Sequence, residues 1–173
     1  MYGVVSPMFE EGKTLINRLA ERQTIVIAHK TFHIGYIGRE NIVVVEAGIG
    51  KVAAAISTTL LLSNFKIDSI INAGSAGSLN KYLHVHDVVI GKELVYGDAD
   101  ATVFGYSIGQ IPKQPARFVT NEALSQGIYK SIVDQELKKI QGLIVTTDSF
   151  LGKKKIRENI VKNVPDGLAS DME

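Results

Sequence analysis

The sequence contains no cysteine, which removes disulfides, zinc–thiolate sites and thiol nucleophiles and fits a reducing cytoplasmic location. It has little net charge: 19 basic against 18 acidic side chains leave +1, too little to draw in a nucleic acid or hold a membrane surface. No apolar run approaches the roughly 20 residues of a membrane-spanning helix, and the N-terminus lacks the basic and apolar regions of a signal peptide. What is present is ordinary for a soluble globular chain: 45% hydrophobic and 21% charged residues over 173 positions, enough for one domain with a substantial core and too few for two comfortable ones. The four histidines, His29, His33, His84 and His86, are scattered; only His84 and His86 are close, and they read as a surface strand pair rather than metal ligands.

The pattern alternates strands and helices. Tyr2–Pro7 is an opening strand punctuated by Pro7, and Met8–Ala20 is a helix with apolar residues at Met8, Leu15, Ile16 and Leu19. Thr24–Ala28, Thr31–Ile37 and Asn41–Ala47 are β-branched runs forming a meander, and Lys51–Asn64 is an alanine- and leucine-rich helix. Ser69–Ala73 and Val85–Val95 are buried strands, the second long enough to bend. Tyr96–Phe118, with glycines, Pro112, Pro115 and aromatics, is a long ordered loop of the kind that carries function. Glu122–Leu137 is a helix, Gly142–Thr146 a strand, Lys154–Lys162 a helix with Lys153-Lys154-Lys155 as its solvated start, and Gly167–Met172 the last strand. This order predicts a single α/β domain over 1–173, a three-layer sandwich around a mixed, largely parallel sheet.

In such sheets ligands bind at the carboxyl ends of the strands, and four strand ends carry unusual residues. After the first strand comes Met8-Phe9-Glu10-Glu11. Acids in a first helical turn suit the helix dipole, and one of the two is equally a candidate general base. Ala47-Gly48-Ile49-Gly50-Lys51 fits G-x-G-x-x-A through Ala53, yet no acid follows the next strand at Asn72 or Ala73, so the dinucleotide reading is weak. Val45 and Val52 break the phosphate-binding P-loop pattern. A tight glycine turn that lets backbone approach a ligand remains. Asn72-Ala73-Gly74-Ser75-Ala76-Gly77 leaves room for a flat ligand, with Ser75 as a donor, or is simply a turn. Thr147-Asp148-Ser149-Phe150 offers an aromatic to stack on a base, and Met172-Glu173 offers a carboxylate to a ribose diol.

Taken in order, these segments resemble the 5′-methylthioadenosine/S-adenosylhomocysteine nucleosidases of the nucleoside phosphorylase superfamily. The resemblance rests on Met8 and Glu11, Gly48-Ile49-Gly50-Lys51-Val52-Ala53-Ala54-Ala55, and Ile71 through Gly77. It continues through Asp98-Ala99-Asp100, Phe104-Gly105-Tyr106, Gly109-Gln110-Ile111-Pro112, Asp148-Ser149-Phe150 and Asp171-Met172-Glu173. It implies a cytoplasmic, cofactor-free, metal-free homodimer acting on a small adenine nucleoside in methionine salvage. Glu11 would activate water, Glu173 bind the ribose hydroxyls, Met172 pack on the sugar and Ser75 contact the ribose region. Phe150 would stack on adenine and the Leu151 backbone read its edge. Met8 and Ile49 would line the alkylthio pocket, with Phe104, Tyr106 and Pro112 reaching across the dimer interface.

Two departures accompany the resemblance. Thr147 stands where the family usually has glycine, with an expected small effect on the purine pocket. The aspartate that would protonate the departing adenine falls after the next strand, beyond Glu173, so the resemblance implies a chain incomplete at its C-terminus. A polypeptide ending there would turn over negligibly, since a missing general acid typically costs about a hundredfold or more. Two other readings stand beside the hydrolase. One is a phosphate-dependent purine or uridine nucleoside phosphorylase, disfavoured because Lys51 is the only cation at the glycine turn while Glu10 and Glu11 would repel phosphate. The other is an inactive, truncated nucleoside-binding or dimerisation module.

Overall fold

The computed structural model describes residues 1–133 and 137–173. The chain resolves into two compact units, Met1–Ser75 with Glu173, and Ala76–Met172.

The first unit runs β1 (Tyr2–Ser6), α1 (Phe9–Asn17), β2 (Ala20–Ile27), β3 (Lys30–Ile37), β4 (Glu40–Glu46), α2 (Lys51–Asn64) and β5 (Ser69–Asn72). Its sheet has the order β2-β3-β4-β1-β5, with β1 parallel to both β4 and β5 and the meander antiparallel. The uninterrupted apolar runs of β1 and β4 follow from this placement, since strands covered on both faces need no polar alternation. Val43, Val44 and Val45 are fully buried. One apolar cluster gathers Val5, Phe32, Val43, Val45 and Leu61, and another Val4, Ile16, Leu19, Ile42 and Val44, so successive residues of the same strands feed opposite faces. α2 lies so near β1 that a Cβ on Gly3 would sit 2.6 Å from Leu61 Cδ2. The β2–β3 turn is made by Ala28 and His29, both left-handed (φ 48° and 64°), the backbone a two-residue hairpin requires.

The second unit runs β6 (Gly77–Ser78), β7 (Val88–Tyr96), β8 (Phe118–Val119), α3 (Glu122–Ser131), β9 (Lys139–Thr146), α4 (Lys154–Asn163) and β10 (Gly167–Asp171). Sheet order is β6-β10-β9-β7-β8, parallel among β10, β9 and β7 and antiparallel at both edges. The expected bend in β7 is a bulge between Gly91 and Glu93. Leu79, Val95, Leu143, Val145, Ile160 and Val164 form the core.

The α/β class and the mixed pairing are as expected, but among the described residues the strands are distributed over two five-stranded sheets with as many antiparallel as parallel pairings, because the meander and the short edge strands pair antiparallel. Several boundaries differ. The first helix stops at Asn17, because the chain from Ala20 is already paired with Tyr36 on β3. His84 and His86 lie in a turn, not a strand: Asp87 accepts from His84 N at 2.8 Å, and His86 has φ 78°. The third helix ends at Ser131, with Ile132 extended; its expected continuation to Leu137 crosses 134–136, outside the described residues. β6 and β8, two residues each, have no local signature and exist because longer strands offer them an edge.

Candidate active site

In the first unit the ends of β1, β4 and β5 come together around one carboxylate. Met8, 37% exposed, is the N-cap of α1. Of the two acids in the first turn, Glu10 is exposed, whereas Glu11 is half-buried and turned onto the β5 exit. Glu11 Oε1 accepts from Ser75 N at 2.8 Å and from Ser75 Oγ at 2.5 Å, and Oε2 accepts from Met8 N at 3.3 Å. A carboxylate has about four acceptor positions, so these three donors orient it and leave room for a water. Gly74 packs closely against this carboxylate: a Cβ there would lie 3.1 Å from both Glu11 Oε2 and Pro7 Cδ, so a side chain would push on them.

The glycine turn is fastened beside this carboxylate. Ala47 N donates to Ser6 O at 2.8 Å and Gly48 N to Pro7 O at 3.0 Å, continuing the β1–β4 pairing past the strand ends. Gly48 and Gly50 adopt φ of 80° and 102°, which other residues reach only with strain. Ile49 between them is 56% exposed and available to an apolar ligand group. The Ala47 carbonyl accepts from Lys30 Nζ and, at 3.0 Å, from the buried Ser57 hydroxyl. Neither brace was legible in the sequence, since Lys30 opens a distant strand and has no local signature. Behind the turn, buried His33 has Nδ1 3.0 Å from Thr24 Oγ1 and Nε2 2.6 Å from Glu46 Oε1, a structural role for that histidine. Among the described residues no three His, Asp or Glu side chains converge as a metal site. Glu173, assigned to this unit, is half-buried.

In the second unit the candidate residues fall into two segments. Phe150 follows β9 and is 81% exposed; Leu151 is half-buried against the core around Val145 and Ile160. Met172, just past β10, is half-buried. Asp98 Oδ2 accepts from Asp148 N at 2.8 Å and so ties the Phe150 loop to the exit of β7. Phe104, 77% exposed, half-buried Tyr106 and exposed Pro112 lie in the long segment after β7. Asp100 starts the helical turn Thr102–Phe104: its carboxylate accepts from Thr102 N at 2.9 Å and Oγ1 at 2.7 Å, which holds its pKa below the usual carboxylate range. A cavity of about 500 Å³ near Lys92, Thr120, Gln126 and Gln141 includes none of the candidate residues. It sits over the β7–β9 face beside α3, away from the strand-end chemistry.

Thr147 is fully buried, and its hydroxyl donates to Ser149 O at 2.7 Å. The sequence marked this position only as a departure; the structure gives its hydroxyl a partner within the loop.

Parallel strands whose ends carry an oriented carboxylate and a double-glycine turn make this an α/β protein with a candidate site at its strand ends, and the family described as the Phosphorylase superfamily matches residues 1–173. A 5′-methylthioadenosine/S-adenosylhomocysteine nucleosidase of Staphylococcus aureus (strain JH9) is 44% identical over 173 residues, 100% of this chain and 76% of the relative. The enzyme of that name from Streptococcus pneumoniae, solved with a transition-state inhibitor, superposes with a TM-score of 0.94 at 38% identity, over 99% of this chain and 75% of that one. The one from Colwellia psychrerythraea 34H, solved with adenine, gives 0.97 at 37% identity, over 99% and 72%. The chain belongs to the phosphorylase superfamily, and within it to the 5′-methylthioadenosine/S-adenosylhomocysteine nucleosidases.

Proposed function

We propose that this protein hydrolyses the N-glycosidic bond of 5′-methylthioadenosine and S-adenosylhomocysteine, releasing adenine and the 5-thio-ribose product. The observation that carries the reading is the Glu11 carboxylate, held by Ser75 N, Ser75 Oγ and Met8 N at the strand ends of the first unit. Departure of the base, which keeps the bonding electron pair and takes up a proton to leave as neutral adenine, leaves an oxocarbenium-like sugar. A fixed carboxylate stabilises that developing positive charge and takes the proton of the attacking water. Because Glu11 is oriented before substrate arrives, little reorganisation is needed at the reaction step.

The remaining roles follow the same reading. Glu173 accepts hydrogen bonds from the ribose hydroxyls, Met172 packs on the sugar, Phe150 stacks on adenine, and the Leu151 backbone reads the purine edge. Met8 and Ile49 receive the alkylthio group, whose burial supplies binding energy remote from the reacting bond. The test is steady-state adenine release from methylthioadenosine by the full-length protein. Glu11→Gln keeps the size and the Ser75 contacts but cannot take a proton, and should lower kcat at least about a hundredfold. Wild-type turnover in that variant would remove Glu11 as the base.

We infer that the protein works as a homodimer. From Val52 to Asn64, α2 carries no charged side chain, and it exposes Val52, Ile56 and Leu62 to 70%, 48% and 53%. Val52 and Ile56, four residues apart, share one face of the helix and Leu62 widens it, an exposed apolar patch of the kind an interface covers. Phe104, Tyr106 and Pro112 are the residues that would reach the partner's site. Light scattering should report a dimer that Val52→Glu with Ile56→Glu dissociates. A monomeric wild type would rule the dimer out.

A further inference from the structure

Phe150 is 81% exposed, so the surrounding core does not fix its ring. The ring is seated instead by its own loop: it lies over Gly152, where a Cβ would come 2.8 Å from Phe150 Cε1. That loop is tied down at its root. Thr147, 1% exposed, donates its hydroxyl to Ser149 O at 2.7 Å, with Ser149 N 3.4 Å away, while its own N donates to Asp171 O at 3.2 Å. A buried hydroxyl must find a partner, and this one finds it inside the loop rather than in the sheet. The threonine methyl is packed as firmly: a Cβ on neighbouring Gly97 would lie 2.8 Å from Thr147 Cγ2. The next residue is held from the other side, Asp148 N donating to Asp98 Oδ2 at 2.8 Å.

We propose that Thr147 and Asp98 are positioning residues that hold the Asp148–Leu151 loop in its ligand-receiving conformation before a purine arrives. This rests on the reading that Phe150 receives the base. Ordering the loop in advance removes an entropic cost from binding, so affinity for the base depends on these residues more than bond cleavage does.

The experiment compares wild type, Thr147→Val, Thr147→Ser, Asp98→Ala and Phe150→Ala by calorimetric titration with free adenine and by amide hydrogen exchange. Thr147→Val keeps the shape and deletes the hydroxyl. It should weaken adenine binding about three- to tenfold, the range of one neutral hydrogen bond, and speed exchange at residues 149–151. It should raise KM while leaving kcat within about twofold. Thr147→Ser, which keeps the hydroxyl, should stay near wild type. Asp98→Ala, at an exposed position, should repeat the Thr147→Val result without touching the core. Wild-type adenine affinity and loop protection in both Thr147→Val and Asp98→Ala would overturn the positioning role and leave the purine reading standing. Unchanged adenine affinity in Phe150→Ala would overturn the purine reading, and the proposal with it.

Discussion

The approach of α2 to β1 across Gly3 can be tested by a double-mutant cycle. Leu61 is fully buried, and a methyl on Gly3 would meet its Cδ2 at 2.6 Å, its Cγ at 3.3 Å and Ile67 Cγ2 at 3.3 Å. Leu61→Ala loses about 0.8 kcal/mol per buried carbon and leaves a partly uncollapsed cavity, for a cost of about 3–4 kcal/mol. Gly3→Ala forces the leucine aside at about 1–3 kcal/mol, offset by about 0.4–1 kcal/mol from a stiffer unfolded chain, so its net cost is at most about 2.5 kcal/mol. In the double variant the new methyl occupies part of the space the leucine vacated. The combined loss should therefore fall short of the sum by about 1–2 kcal/mol. Urea titration followed by circular dichroism reads this as a midpoint shift at constant m. Additivity to within about 0.3–0.5 kcal/mol would refute the close contact.

Three further outcomes follow from particular contacts. Ser75→Ala removes the 2.5 Å hydroxyl donor to Glu11 while keeping the backbone donor, and should lower kcat about tenfold in an adenine-release assay; an unchanged kcat would argue against this brace. His29→Gly relieves a left-handed residue in the β2–β3 turn and should raise stability by about 1 kcal/mol in thermal melts; a loss would argue against that backbone. Asp166 receives both prongs of the Arg117 guanidinium, at 2.7 and 3.1 Å, which holds its pKa below the usual carboxylate range. A depressed pKa contributes stability above the unfolded-state value, and that stability is lost as pH falls through the folded one. Asp166→Asn should therefore cost about 0.5–1 kcal/mol at neutral pH, the pair being half-exposed, and nothing in strong acid, well below about pH 4.

Much of this architecture was legible because local and long-range preferences agree. The helix Lys51–Asn64 was read with its bounds intact: good helix formers begin directly after Gly50, whose φ of 102° is open to glycine, and stop before the extended Phe65. The strand-end rule picked out the segments holding Met8, Glu11, Ile49, Ser75 and Phe150 as ligand candidates because parallel strands have chemically distinct ends, and the structure puts these residues just past the ends of β1, β4, β5 and β9. Local sequence could not choose between Glu10 and Glu11, since both suit the helix dipole. What sets Glu11 apart from the exposed Glu10 is Ser75, 64 residues away, which donates to it through both N and Oγ. Distance likewise hid the Lys30 and Ser57 braces on Ala47. The start of β2 was missed because Ala20–Gln23 pairs with β3 through a register shift, which breaks the period-two pattern a strand shows in sequence.

Product identity tests the central claim most directly. Lys30 brings a second cation to the glycine turn beside Lys51, so the choice between water and phosphate as nucleophile rests on the acids at the start of α1. Incubation of the protein with methylthioadenosine, with and without inorganic phosphate, followed by mass spectrometry of the sugar, should give free 5-methylthioribose and adenine at a rate independent of phosphate. A sugar 1-phosphate that forms only when phosphate is present would contradict the account.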